Sequence, residues 1–399
     1  MKIHGNKLNT LSFFLVFVLV FVLAFFSFHY SRDTFAQGSL EEIWSIKLNC
    51  DISSHCLSSK GSFVAVGDTD GLVSIYNQDG SLFFSHQFDF PILDLQFSFD
   101  ETTLLVQCYS IYCIDLAEQR VVWEKFYESE TYFIQDFWVF QDGKIGYLAS
   151  SLKNVDNYYF LTNSEGVTIE IPKSLPSTNV RYNIAPSPDG KLLAWTTEKG
   201  SIECISYFGF VHWNKQVSFS NQKSSDPFPF LQDINNNGDI CISFAQTQNQ
   251  ITIYTTLLIN IDGVTLWEIH TKDPVETLEF SLQKDTILVG TQKDIQIFAL
   301  SGNQIVSKEI FGYQIDRVQS FYSHVLAYYR PINEIRPAYL QKGIIELSWL
   351  DHVVWRKHTN ENSKTEFSIA DNGYVLLEVS FPHIFTLYKF HFKNTQRKV

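Results

Sequence analysis

From residue 41 onward, polar turns alternate with short apolar runs, and the alternation has a higher order. A polar turn is followed by an apolar run, a second run, a turn containing Gly or Asn, and a further run that often carries Trp. This pattern predicts a repeating unit of four strands joined by hairpins. The clearest copy reads Ala185-Pro-Ser-Pro-Asp-Gly-Lys-Leu-Leu-Ala-Trp195, then Lys199 to Ser206, then Val211-His-Trp-Asn-Lys215.

Aligned on the first apolar residue after the opening turn, the copies fall at Phe63, Thr103, Ile145, Leu192, Ile240, Thr286, Val325 and Val375, 39–50 residues apart. That is the period of a β-propeller blade. Trp recurs in the fourth run, in Val121–Lys125, Val211–Lys215, Thr265–Ile269 and Val353–Lys357. A recurrence at one repeat position predicts packing between blades, since a buried indole supplies a large contact area.

The two ends of this region complement each other. The last copy has three runs, Thr365–Ala370, Tyr374–Ser380 and Phe385–Phe392, and then ends, while Glu42–Leu48 has the fourth-strand pattern with Trp44 and no copy of its own. Pairing them would close a ring and remove two open sheet edges. The expected fold is all-β: an eight-bladed β-propeller, or seven-bladed if one weak copy is not a blade, closed by the N-terminal strand.

The turn at 187–195 and the spacing from Gly263 to Trp267 resemble the pyrroloquinoline-quinone-like and WD-repeat propeller superfamily. The resemblance covers about 350 residues and implies a fold, because the same scaffold hosts dehydrogenases, assembly factors and adaptors. A quinone-dependent dehydrogenase of this kind would carry adjacent Cys residues near its cofactor, and this chain has no vicinal Cys pair.

One segment lies outside the repeat. Leu11 to Phe28 is 18 residues without a charge, which as a helix spans about 27 Å, close to a hydrocarbon core of about 30 Å. The expected organisation is a short cytoplasmic tail at 1–10, a transmembrane helix or signal anchor at 11–28, a linker at 29–40 and the propeller at 41–399. Lys2 and Lys7 precede the apolar run while Arg32 and Asp33 cancel after it. The N-terminus is therefore expected in the cytoplasm and the propeller on the extracytoplasmic side. The alternative is a secreted or periplasmic protein, cleaved after Thr34-Phe35-Ala36.

Charge narrows the partners. The formal balance is −13; beyond residue 40 the chain holds 27 basic and 42 acidic residues, a balance of −15. Such a surface repels phosphate backbones and anionic bilayers, so no nucleic acid is expected and membrane attachment rests on residues 11–28.

Candidate chemistry is sparse. Asp233-Ile-Asn-Asn-Asn-Gly-Asp239 has oxygen side chains at alternate positions before a Gly, which makes Asp233, Asn235 and Asn237 a weak metal candidate. Phe244 stands where an EF-hand needs a bidentate Glu, and Cys241 where an integrin-like loop would place Asp. The competing reading is a strand-connecting turn, at the blade position of Asp142-Gly143 and Asp189-Gly190, with Asp68-Thr-Asp-Gly71 as the equivalent in the first copy. The six cysteines, Cys50, Cys56, Cys108, Cys113, Cys204 and Cys241, contain no C-x-x-C and sit mostly in apolar runs, which predicts core packing. Cys50–Cys56 and Cys108–Cys113 are the local pairs that could bridge. No hydrolase elbow or P-loop is present.

The sequence therefore points to a non-enzymatic module with no cofactor that binds a protein partner. A quinone-dependent oxidoreductase and a glycan- or small-ligand-binding propeller are the alternatives. Two long connections, Gln216–Phe230 and Arg330–Pro337, are the recognition segments expected on such a scaffold.

Overall fold

The computed structural model describes residues 39–48, 51–125, 132–151, 157–168, 173–175, 184–196, 201–206, 210–216, 231–248, 251–281, 285–309, 313–321, 324–331, 344–349, 352–358, 365–370, 374–379 and 384–391. They form eight four-stranded antiparallel sheets. Seven are continuous in sequence, spanning 52–87, 94–125, 132–175, 184–216, 231–271, 275–309 and 313–358; the eighth combines 365–391 with the strand Ser39–Lys47. Within each sheet the strands lie side by side in chain order, from an inner first strand to an outer fourth. In the eighth sheet Ser39–Lys47 takes the fourth place, antiparallel to Ile384–His391, with Ser39 opposite His391 and Lys47 opposite Ile384. This strand begins two residues before the expected boundary at 41. Residues 11–28, expected to cross a membrane, lie outside the described residues; among the described residues no helix is long and apolar enough to do so.

The sheets follow one another in a circuit. First strands of neighbouring sheets touch at seven junctions, among them that where the first strand of the eighth sheet, Thr365–Ile369, returns to that of the first, Ile52–Leu57. The third and fourth sheets meet through Phe140 and Leu193 and through a bond from Gln141 N to Pro188 O of 3.0 Å. Each junction has its own apolar layer, such as Ile75, Ile92, Leu95 and Leu104 between the first and second sheets and Leu326, Phe367, Leu377 and Tyr388 between the seventh and eighth. This is the β-propeller arrangement.

Position within a sheet explains the hydrophobic pattern of each strand. Second strands such as Phe63–Asp68, Thr103–Gln107 and Thr286–Thr291 are buried almost without interruption, because neighbouring sheets cover both faces and every side chain must be apolar or paired. Outer strands such as Thr265–Thr271 alternate between half-buried and exposed residues, since only one face meets a neighbour.

The opening turns follow from a buried serine. Ser98 Oγ donates to Asp100 Oδ1 at 2.7 Å and accepts from Thr102 N and Thr103 N. Ser187 repeats this with Asp189 and Leu192 N, and Ser281 with Asp285 and Thr286 N. A buried hydroxyl must find partners, and here the partners are the turn itself, which sets where the second strand begins.

Polar side chains of the inner strands tie neighbouring sheets together. Gln96 Nε2 donates to Phe137 O at 3.0 Å, Gln107 Nε2 to Ile134 O at 3.0 Å, and Ser54 Oγ to Asp94 Oδ1 at 3.3 Å. Asp94, held between two sheets, has its carboxyl raised above the ordinary value, chiefly by burial and against the bonds it accepts from Leu95 N, Gln96 and Ser54. In the window just above 3.8 the folded state therefore holds more protons than the unfolded one, and stability falls as pH rises through it. Asp94→Asn, which keeps the acceptor for Leu95 N and Ser54, is expected to lose that dependence. Melting curves from pH 3 to 7 should show the variant gaining on the wild type as pH rises; parallel curves would contradict the assignment.

Candidate interaction surface

Because the strands are antiparallel and the first always runs the same way, every sheet presents the same two ends. One end carries the turns between first and second and between third and fourth strands. Many of these are compact, for example 58–62, 98–102, 140–144 and 187–191. The other end carries the turns between second and third strands and the crossings to the next sheet. Both connections expected to bear recognition leave from this end, from Gln216 to Leu231 and from Pro331 to Ile344; residues 217–230 and 332–343 themselves lie outside the described residues.

The described part of the crossing end has one concentrated apolar feature, where the first sheet hands over to the second. Between Gln87 and Asp94 the segment Phe88-Asp-Phe-Pro-Ile-Leu93 divides its side chains: Phe88 and Ile92 are buried, while Phe90 and Leu93 are 46% and 59% exposed. Three backbone bonds fix it, Phe88 N to Gly71 O at 2.8 Å, Ile92 N to Asp68 O at 3.1 Å and Leu93 N to Gln107 O at 2.7 Å. Ile92 fills the space over Gly67, where an added Cβ would meet it at 2.4 Å. Tyr109, in the next hairpin turn, is 60% exposed and stacks on Phe90 with ring centroids 5.2 Å apart and planes at 29°. Elsewhere the exposed apolar residues stand singly on outer strands, as Val122 and Ile305 do, or in pairs, as Phe210 with Val211 at the compact-turn end and Val264 with Leu266.

Carboxylates frame this feature. Asp70, Asp89 and Glu124 are exposed. Gln87 Nε2 holds the Asp70 carbonyl at 2.7 Å and that of Phe88 at 2.9 Å, which ties the two loops together. Burial, together with the bonded Glu124 carboxylate, pushes the Tyr112 phenol up to about 12. Asp68 is buried, and its Oδ1 accepts from Asp70 N at 3.0 Å and Leu72 N at 2.8 Å. Replacing Asp68 by Ala would leave two amides without this acceptor; a loss of about 1–3 kcal/mol in chemical denaturation is expected, and a loss under 0.5 kcal/mol would contradict it. This turn joins second and third strands, one hairpin later than the Asp142-Gly143 and Asp189-Gly190 turns with which its sequence was equated. An Asp-x-Gly pattern serves either end of a sheet, and only strand order separates the two.

In the weak metal candidate the oxygens of Asp233 and Asn235 accept bonds from backbone amides. Asn235 is fully buried; its Oδ1 accepts from Asn237 N and Asp239 N, both at 2.9 Å, and its Nδ2 donates to Asp239 at 2.9 Å. Asp233 accepts from Ile234 N and, across the junction, from Phe280 N at 2.8 Å. Asn235 caps a strand-connecting turn and Asp233 bridges the fifth and sixth sheets. Asn237 is exposed at the tip of the turn. Among the described residues no group of three His, Cys, Asp or Glu side chains is placed to hold a metal.

The cysteines serve packing. Cys108 and Cys113 are buried free thiols; burial pushes Cys113 up to about 12. Cys56 is also free, and Cys50 lies outside the described residues. Four fourth-strand Trp residues, Trp44, Trp123, Trp213 and Trp267, join consecutive sheets, as their recurrence predicts; the side chain of Trp355 lies outside the described residues. Trp44 Nε1 donates to Gln78 O, Trp123 Nε1 to Ser164 O and Trp267 Nε1 to Leu300 O, at 2.8, 2.8 and 3.2 Å. Each ring covers a Gly of the next sheet's outer turn, Gly80, Gly166 and Gly302, and Trp213 covers Gly263 in the same way.

The chain matches no protein-family model and no curated protein sequence. Its fold does have solved counterparts. The computationally designed Ika8 protein superposes with a TM-score of 0.61 at 13% identity, covering 87% of this chain and 99% of that one. BamB from Moraxella catarrhalis superposes at 0.59 and 11% identity, covering 88% and 100%. The C-terminal WD40 domain of Sif2 superposes at 0.62 and 10% identity, covering 88% and 98%. At such identities the likeness is one of fold, an all-β propeller of four-stranded antiparallel sheets.

Proposed function

We propose that this chain is a non-enzymatic scaffold: an eight-bladed propeller, anchored by residues 11–28 and displayed on the extracytoplasmic side, that holds a protein partner at the crossing end of its sheets. The observation that carries the reading is the rigid, exposed group of Phe90, Leu93 and Tyr109 at that end. Exposed aromatics on a pinned backbone favour binding, because little conformational freedom is lost when they are covered.

The tether supports the same geometry. Ser39 starts its strand at the compact-turn end of the eighth sheet, since Ser39 pairs with His391 and Lys47 with Ile384. Ten residues, 29–38, separate it from the apolar run, a reach of at most about 35 Å. A membrane helix at 11–28 would then hold the compact-turn end toward the bilayer and turn the crossing end outward. Affinity capture of the full-length protein from detergent-solubilised native membranes, with mass spectrometry, tests the scaffold. A discrete protein recovered in near-stoichiometric amount is expected. Recovery of no protein, with a chromophore or small ligand in its place, would favour the oxidoreductase or ligand-binding alternatives.

A further inference from the structure

We propose that Phe90, Leu93 and Tyr109, framed by Asp70, Asp89 and Glu124, dock a partner segment in which basic side chains flank an apolar anchor. This rests on the scaffold reading above and adds the site and the chemistry of its occupant.

The apolar part is built for an anchor. Phe90 and Tyr109 come from two different connections and stack as one unit, with Leu93 on the same pinned segment. Stacked exposed rings beside an aliphatic side chain offer a surface that a Leu, Phe or Trp can cover, and aromatic residues carry much of the energy at protein interfaces.

The charge selects what flanks that anchor. Residues 51–125, which form these two sheets and their turns, hold eleven acidic residues and three basic ones, Lys60, Arg120 and Lys125. Lys60 and Arg120 lie at the compact-turn end, while Lys125 ends the outermost strand of the second sheet at the crossing end. Within residues 51–125, Asp70, Asp89 and Glu124 therefore outnumber the one lysine at the crossing end. An acidic frame raises the encounter rate of a cationic segment and rejects an acidic one. It also disfavours an anionic bilayer and a second copy of this chain, which would bring the same charges together.

The test uses full-length protein in detergent and three fluorescent 12-residue peptides. One alternates Lys with Leu and Trp, one has Glu in place of Lys, and one has Ala in place of Leu and Trp. At low salt the Lys peptide is expected to bind at least about tenfold tighter than either control, with affinity falling as salt rises. Phe90→Ala with Tyr109→Ala is expected to weaken it about tenfold. Asp70→Asn with Asp89→Asn, which leaves the rings in place, should weaken it similarly and flatten the salt dependence. Asp262→Asn, at the compact-turn end of the fifth sheet, should change nothing. Equal binding of the Lys and Glu peptides, or no effect of either double variant, would overturn the proposal.

Capture from native membranes separates this failure from that of the scaffold reading. If the Phe90/Tyr109 variant recovers the same partner in the same amount as wild type, the scaffold stands and this site is refuted. If the wild-type protein recovers no partner at all, the scaffold reading falls and the proposal falls with it.

Discussion

A chain beginning at residue 49 is expected to lose the cooperative unfolding of one beginning at residue 39, to melt at least about 10 °C lower and to aggregate on heating. The nine-residue strand Ser39–Lys47 ends only four residues before the first sheet yet completes the eighth, pairing along its whole length with Ile384–His391. Its removal takes away that ladder, the Ser45–Thr386 hydroxyl bond of 3.0 Å, and Trp44, whose indole bonds Gln78 O and covers Gly80 in the first sheet. Trp44 and Leu48 also pack against the layer of Val64, Val66, Leu376, Phe385 and Leu387 between the eighth and first sheets.

Losing a packed Trp alone costs about 3–5 kcal/mol, and a kcal/mol shifts the midpoint of a large domain by about 2–4 °C. The truncation also bares the edge of Ile384–His391, which invites pairing with other chains. Scanning calorimetry of the two forms, with light scattering, checks this. Equal midpoints and equal solubility would mean that the ring does not depend on closure through its N-terminal strand.

The ring was legible because its signal is long-ranged and redundant. Phe63, Thr103, Ile145, Leu192, Ile240 and Thr286 each begin a second strand, and Val325 and Val375 are the second residues of theirs. Such agreement arises because a buried serine or asparagine marks five of the opening turns, at Ser58, Ser98, Ser187, Asn235 and Ser281, and an unbroken apolar run marks the second strand that follows. The fourth-strand Trp was legible for the same reason: one position, one packing role. What escaped notice depends on contacts between different copies. In its own loop Asp233 offers a turn residue or a weak metal oxygen, and its carboxylate also reaches Phe280 N in the next sheet. Nothing local to residues 233–239 announces that.

The exposed cluster of Phe90, Leu93 and Tyr109 escaped for a similar reason. Phe90 and Tyr109 sit 19 positions apart in connections that look ordinary one at a time. The signal that was available is an apolar run, Phe90-Pro-Ile-Leu93, in a crossing too short to bury all of it. Phe88 and Ile92 turn in, and the crossing leaves Phe90 and Leu93 outside. Composition favoured the longer Gln216–Phe230 and Arg330–Pro337 connections instead, and the strand ends beside them show only that they share the same end of the ring.

The largest single-residue effects are expected where Trp meets Gly, and four variants can separate the causes. Gly166 has φ +76°, and a Cβ there would lie 2.9 Å from the Trp123 ring. Gly143 has nearly the same backbone, φ +77°, but an added Cβ meets nothing closer than Ser164 Cβ at 3.9 Å. Gly143→Ala therefore measures the backbone term alone, about 1–2 kcal/mol. Gly166→Ala adds the clash with a ring fixed by its bond to Ser164 O, and a total loss of about 3–4 kcal/mol is expected. Trp123→Ala should lose about 3–5 kcal/mol through the cavity it leaves between the second and third sheets.

The double variant Trp123→Ala, Gly166→Ala should be less unstable than the sum of the two single losses by about 1–3 kcal/mol, because with the ring gone the new methyl meets open space and only the backbone cost remains. Chemical denaturation of all four variants reads each term. Additivity within 0.5 kcal/mol would mean that Trp123 and Gly166 do not act as one contact, and that the recurrence of Trp in the outer strands has a cause other than joining consecutive sheets.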